Sequence, residues 1–508
     1  MFALGGRTRL FILVFYAGLC SLTCDSVNAA PWETLPPDHW AYTEIEWLQT
    51  AGYLGSLNPA NLPYTRGQVA TAIQADPEPE VGMAVERFQL LLREFTAELT
   101  SADGWSTEVG GRFFGGLDVV HGSSSRETGY AVLSAGVGNR RMGAFTALRA
   151  DHDLTFNEAY QGKVWQDFAG FTEAAYFTVT GEKQRWLLKL GRDHVYWGPG
   201  EDHLLLNHSA RGLDQISFRV RWEWGEFSAL IGQVSDFTDS TDQRTNRFIS
   251  GHRLDIIPFD WLRLGISETL LFTGGIRFGS LNPLLPYYGE LVNENSEGNG
   301  LIGFDFVADP KPGWRLYGQL LIDDIQFEKK SSRDLEPAEW GWLVGGRWAD
   351  LKGFLGVNLS YSGITNRSYN ALDPRYRYLN YGLPLGSELG NDGDRLRLDV
   401  AFWPWAALRL EGFWEFRRQG EGDLMAPFDT TYMNYTVDEG YSEPFPTGIV
   451  ERTHTLGLGF SWLQGGFLQM EGWIGHDWMS NIGHIAGEED GGFRGRLSLN
   501  VRLDRSVL

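Results

Sequence analysis

The feature that most constrains this chain is a period of two, which runs from about residue 106 to the end. Successive side chains of a strand point to opposite faces, so alternation sets one face in an apolar medium and the other in a polar one. Near the end, Leu497, Leu499, Val501 and Leu503 alternate with Arg496, Ser498, Asn500 and Arg502. Leu396, Leu398, Val400 and Phe402 alternate with Arg395, Arg397 and Asp399. After a Pro404-Trp405-Ala406 turn, Leu408, Leu410, Trp414 and Phe416 are set against Arg409, Glu411 and Glu415. Phe218, Val220, Trp222 and Trp224 likewise oppose Arg219, Arg221 and Glu223. A soluble sandwich also alternates. Trp and Phe beside tight turns, as at Trp403/Trp405, Trp462 and Trp473, point instead to the aromatic girdle of a membrane barrel.

About 400 residues at roughly 22 per strand and loop give on the order of 18 strands. The expected fold is therefore an all-β transmembrane barrel of antiparallel strands. Its long polar loops are read at Asp236 to Arg247, Lys329 to Glu339 and Gly420 to Arg452, facing outward, with short turns on the periplasmic side. Composition agrees, with 63 glycines, 14% aromatic residues and two cysteines in 508 residues. No later segment offers an apolar run long enough for a membrane helix.

Residues 1–30 read as a secretory signal peptide: Arg7 and Arg9, an apolar run from Leu10 to Leu22, then Val27-Asn28-Ala29. Both cysteines, Cys20 and Cys24, fall inside it, so the mature chain has no thiol for a disulfide or a metal cage. A lipidated cysteine is the alternative, although Leu19 and Thr23 stand where a small residue is expected. The net charge of −22 excludes nucleic acid as a partner, since phosphate binding depends on Lys and Arg.

Residues 31–76 read as a small helical periplasmic module. Asp38 is placed to cap a helix through Trp40, Ile45 and Leu48 that stops at Gly52. Thr65-Arg66-Gly67-Gln68 has the form of a capping box. His39-Trp40-Ala41-Tyr42, Ala51-Gly52-Tyr53-Leu54 and Thr65-Arg66 together resemble a single S-layer homology motif. That resemblance implies contact with peptidoglycan or its attached polymer; a structural plug is the other reading. Residues 77–105 form a linker, Asp76-Pro77-Glu78-Pro79, and a helix with Val85, Phe88, Leu92, Phe95 and Leu99 at heptad spacing. Packing against the chain's own N-terminal helices is preferred to a coiled coil with a second copy. Residues 106–508 are the barrel.

Catalytic chemistry finds little support. The histidines, among them 121, 152, 194, 203 and 208, form no HExxH, and there is neither a GxSxG elbow nor a P-loop. His203 and His208 beside Asp202 could touch a metal, but polar loop or lumen residues are the plainer reading. Carboxylate pairs such as Asp323/Asp324 and Glu488/Glu489 carry little weight among 65 acidic residues. Asp323/Asp324 is better read as the end of an apolar belt. Arg192, Arg211, Arg219 and Arg221 are more informative, because guanidinium groups grip carboxylates bidentately and aromatic rings stack on sugars. They suggest either an acidic polysaccharide surface or an internal ion-pair network.

Three segments go beyond generic barrel character. One is Gly191-Arg192-Asp193-His194-Val195-Tyr196-Trp197-Gly198-Pro199-Gly200, followed by Leu204-Leu205-Leu206-Asn207 and Ala210. The second runs from Asn282-Pro283 through Asn293-Glu294-Asn295 and Gly303-Phe304-Asp305 to Leu316-Tyr317-Gly318-Gln319 and Asp323-Asp324. The third is Tyr378-Leu379-Asn380-Tyr381-Gly382 with Pro384-Leu385-Gly386 and Leu389-Gly390. In order and spacing they resemble the Wzi family of capsule assembly proteins over residues 106 to 508. The resemblance implies an 18-stranded, closed outer-membrane barrel that anchors capsular polysaccharide at the cell surface and is not an enzyme. The role of the motif residues Arg192, Trp197, Gly198, Pro199, Gly200, Asn282, Pro283, Pro384, Leu385 and Gly386 stays open.

The expected function is binding and assembly of capsular or other surface polysaccharide, in contact with outer-membrane lipid and with no cofactor. A wall-tethered carbohydrate porin and a tether between outer membrane and peptidoglycan are the alternatives.

Overall fold

The alternating segments become the strands they imply. The computed structural model describes residues 30–506 apart from 101–103, 121–124, 157–159, 161, 277, 295–296 and 327–329. The expected signal peptide, with Cys20 and Cys24, lies outside the described residues. Among these, eighteen long antiparallel strands run from Ser106–Val120 to Glu489–Ser506, each paired with its neighbour in sequence. The last pairs with the first, Glu108 opposite Ser506 and Val120 opposite Arg494, so the sheet closes. Closure satisfies every edge amide within the sheet, as a wall in hydrocarbon requires.

The two faces divide as the period demands. Leu456, Leu458, Ile474 and Leu497 are each more than half exposed on the outer wall. Their inward neighbours form ion pairs: Arg397 with Asp399 and Glu415, Arg494 with Asp477, and the fully buried Arg253 with Asp255 and Asp305. The aromatic girdle expectation needs correcting at two places. Trp405 is half-exposed on the outside and Trp462 lies on the outer face opposite Leu408, but Trp403 is fully buried inside the barrel. Trp473 also points inward, edge-on to Phe413 and under the Arg494 guanidinium. The ladder shifts between Phe402 and Trp405, so both even and odd positions face outward within four residues.

Short turns such as Trp222–Gly225 and Phe259–Leu262 gather at one end, while long connections (194–212, 274–298, 365–392 and 420–450) occupy the other. The loop expected from Asp236 to Arg247 is mostly strand, with only a tight turn at Asp239–Gln243.

The short-turn end is filled by helices α1 (Ala41–Ala51), α2 (Arg66–Ala75) and α3 (Met83–Glu94). Helix α1 stops at Gly52, whose φ of 103° is open to glycine. Asp38 does not cap it: its carboxylate accepts from Arg112 (2.7 Å) and Tyr130 (2.6 Å) of the barrel wall. The Thr65 capping box of α2 forms as read, with Gln68 N–H donating to Thr65 Oγ1 and Thr65 N–H to Gln68 Oε1. Phe88, Leu91 and Phe95 turn toward Ile45, Leu48, Val69 and Ile73, so the heptad seam is internal to the chain.

This unit is built into the barrel rather than hung below it on a linker. Trp47 meets Trp403 edge-on at 5.6 Å, and Arg87 lies 3.8 Å over Trp403 while pairing with Glu44. Arg315 donates to Gln49, Arg347 pairs with Glu46, and Lys189 donates to Thr34 Oγ1. Contacts reach strands around most of the circumference. No described helix is long and apolar enough to cross a membrane; the crossing is made by strands.

Candidate functional site

Above the helices, two irregular segments fold back into the lumen: residues 194–212 and 365–392. Trp197 is their centre, 1% exposed. Its N–H donates to Leu206 O (2.9 Å), and its carbonyl accepts from Gln319 Nε2 (3.3 Å). Residues Asn61–Leu62 of the N-terminal unit pair with Tyr196–Trp197, joining the two fillings. Gly198 has φ +118°, and a Cβ there would lie 2.4 Å from the Gln319 side chain. Its N–H donates to Ala60 O, and its own carbonyl meets His203 Nδ1 at 2.8 Å. Pro199 is buried beside it. A Cβ on Gly200 would lie 2.7 Å from the Tyr317 ring.

The third motif packs onto the first. Pro384 pairs with Leu379 in a tiny hairpin, Leu385 is buried, and Leu385 O accepts from Asn207 N–H at 2.7 Å. A Cβ on Gly386 would fall 2.5 Å from both Leu204 O and Tyr369 Oη. Tyr369 N–H donates to Asp323 (2.6 Å), so that carboxylate holds the inner loop instead of merely ending the apolar belt. Thus Trp197-Gly198-Pro199-Gly200 and Pro384-Leu385-Gly386 form one apolar knot with Leu204, Leu205 and Tyr378. Asn282 and Pro283 do not join it. They lie in an outer loop, with Asn282 exposed and its side chain accepting from Leu284 N–H.

The arginines part company. Arg219 reaches Asn61 (3.0 Å) and Arg221 pairs with Glu226 (2.9 Å) and Ser56 O, so both fasten the N-terminal segment to the wall. Arg192 grips Asp214 with two bonds, the shorter 2.5 Å. Arg211 instead lies among three rings: Phe171 (4.5 Å), Tyr381 (4.6 Å) and Tyr160 (5.0 Å). It lines a cleft of about 450 Å³ between the inner loops and the wall, floored by Pro37 and Asp38. Phe114 and Tyr130 stack at 5.0 Å on its wall, and Arg149 lies 3.6 Å over Tyr130. Burial alone would raise the Asp38 carboxyl, but Arg112 and Tyr130 overcome it and hold the group well below the usual range.

Sequence reading missed Tyr160, Phe171 and the meeting of Tyr381 with Arg211. Tyr381 stood inside the third motif, but nothing local marks a ring that meets a residue 170 positions away. Of the N-terminal motif residues, Trp40 sits in the helical core and Thr65 caps α2. Arg66 pairs with Glu94 (3.0 Å) and Glu98 (2.6 Å), so it too is interior. Burial lowers His203 to about 3 and His208 to about 4, and no group of three or more potential metal ligands occurs among the described residues.

A closed eighteen-stranded wall with an apolar outside, an ionic inside and a filled lumen defines an outer-membrane β-barrel of the plugged type. Residues 106–489 match the model of the capsule assembly protein Wzi family, and the chain belongs to that family. Among solved structures it is similar to Wzi of Escherichia coli, an outer-membrane protein involved in group 1 capsule assembly and described as a carbohydrate-binding β-barrel. The TM-score is 0.62 at 16% identity, over 92% of this chain and 99% of that one. OprD and OccK3 of Pseudomonas aeruginosa are more distant, with TM-scores of 0.44 and 0.46 at 11% identity, over 80% and 79% of this chain and 96% of each of theirs. No curated protein matches.

Proposed function

We propose that this protein binds capsular or another surface polysaccharide at the outer membrane and helps to anchor and assemble it there. The observation that carries the reading is the cleft beside Arg211, where rings and guanidinium groups converge on open space. Sugar faces stack on aromatic rings, and hydroxyl and acid groups meet fixed charges in such clefts. Membership of the capsule assembly family and the fold shared with a carbohydrate-binding barrel support it. Deleting the gene is expected to release polymer into the medium with synthesis intact, and unchanged surface retention would overturn the reading.

The filled lumen favours holding over conduction, so the porin alternative predicts a large stable current in planar bilayers that this chain should not give. In our reading residues 1–30 direct export, residues 31–100 close the periplasmic mouth, and the S-layer-like unit touches the wall polymer through its exposed face rather than through the buried Trp40, Thr65 and Arg66. Short turns lie on the periplasmic side of such barrels, which supports that orientation. Retention of the full-length protein on purified peptidoglycan tests the wall contact; elution with the unbound fraction overturns it.

A further inference from the structure

We infer that Arg211 and the rings of Tyr160, Phe171 and Tyr381 form a receptor for the carboxylate of an acidic sugar residue. This rests on the polysaccharide reading and names the chemical class and the seat of recognition.

The argument begins from pairing. The other arginines lining the cleft each have a carboxylate partner: Arg112 with Asp38 and Glu173, Arg149 with Asp151 and Glu173, Arg192 with Asp214, and Arg496 with Asp118. Arg211 forms no ion pair among the described residues, although it is only half-exposed. A partly desolvated cation without a counter-ion raises the local potential and attracts an anion into the cleft.

Its position is also fixed in advance. Asn380 Nδ2 donates to Arg211 O (2.9 Å), while Asn380 Oδ1 accepts from Ser235 N–H (2.9 Å) of the wall. Tyr381 sits at φ 51°, its N–H donating to Ser235 Oγ (2.8 Å). The rings of Phe171, Tyr381 and Tyr160 surround the guanidinium at 4.5–5.0 Å, and Tyr160 takes one of its side-chain hydrogen bonds, which leaves further N–H donors of the five for a ligand. A planar guanidinium matches a carboxylate through two parallel bonds. Tyr381 keeps 38% of its surface exposed, enough to stack on the sugar that bears the acid.

The test uses the detergent-solubilised full chain and three probes: glucuronate oligosaccharides, their methyl esters, and neutral cello-oligosaccharides. The wild type is expected to prefer the acid over both others. Arg211→Gln should weaken acid binding about tenfold or more, as expected for losing a hydrogen bond to a charged group. Arg211→Lys should restore part of it, and the methyl ester, which keeps only a neutral carbonyl acceptor, should lose less than the acid with Arg211→Gln. Thermal unfolding of each variant confirms the fold. Equal binding of acid and neutral probes, or an Arg211→Gln variant with unchanged preference, overturns the carboxylate receptor while leaving polysaccharide binding standing. Failure of the folded wild type to bind any probe overturns the receptor as well.

Discussion

The lumen is filled twice, in two different ways. At the short-turn end three helices with their own apolar core are pinned to the wall by side-chain ion pairs, Glu46 with Arg347 and, just before the first helix, Asp38 with Arg112. In the middle, residues 194–212 and 365–392 have little regular structure and hold by single bonds such as Asn207 N–H to Leu385 O. Helices satisfy their amides internally and can be docked as a body. Irregular backbone inside a barrel persists only where each buried polar group finds a partner. Hence the inner loops need particular residues at particular places, whereas the helical unit needs mainly an apolar face. The family match begins at residue 106 and so includes the loops but not the helices. The recognisable motifs lie where the backbone has least freedom.

Four measurements test this contrast. The largest effect is expected from Arg66→Ala, which strands Glu94 and Glu98 in a mostly buried setting. Removing one partner of such a pair costs about 3–5 kcal/mol, enough to undock the helices while the wall persists. Protease cleavage confined to residues 31–100 would show it; cleavage spreading into the strands would mean that the two are one cooperative unit.

Next is Gly198→Val. A left-handed φ at a β-branched residue costs about 1–3 kcal/mol, and overlap with Gln319 adds to it. Loosened inner loops should raise bilayer conductance with the helical unit still protected; wild-type conductance would show that the helices alone seal the barrel.

The two ends should also answer pH oppositely. Burial lowers His39 in the helical unit from 6.5 to about 4. The folded chain therefore binds fewer protons than the unfolded one in that window, and the helices loosen as pH falls through it. At the long-loop end burial, together with the Asp324 charge, pushes Glu336 up from 4.5 to about 7. Its stabilisation is present below 4.5 and is lost as pH rises through 7. Amide protection factors, which divide out the intrinsic pH dependence of exchange, should then change in opposite directions at the two ends between pH 5 and pH 7; a parallel change would contradict the assignment.

The smallest effect belongs to Arg496→Gln. Its pair with Asp118 is bidentate, but Arg496 is 45% exposed, so less than about 1 kcal/mol is expected. A thermal shift as large as that of Arg66→Ala would overturn the distinction between wall and plug ion pairs.

The barrel was legible because side-chain direction in a strand is local. Leu396 to Phe402 against Arg395 to Asp399 already separates outside from inside. The Thr65 capping box and the Gly52 stop were legible for the same reason. Trp403 was misplaced because a tryptophan beside a turn looks alike on either face; the ladder shift after Phe402 and the presence of Trp47 decide its side. Arg219 and Arg211 look equivalent in sequence, yet one meets Asn61 and the other meets three rings.

By itself, then, the sequence determined the closed antiparallel wall, the approximate strand number, the family and the segments that carry its motifs. Each of these depends on neighbours a few residues apart, or on words preserved in order. The internal knot that those motifs build, the seating of the N-terminal helices inside the barrel, and which of the cleft arginines has no carboxylate partner among the described residues belong to the tertiary structure alone. Those outcomes depend on contacts between residues far apart in the chain, such as Glu44 with Trp403, 359 positions away, and no local period encodes which strand a folded-in segment will meet.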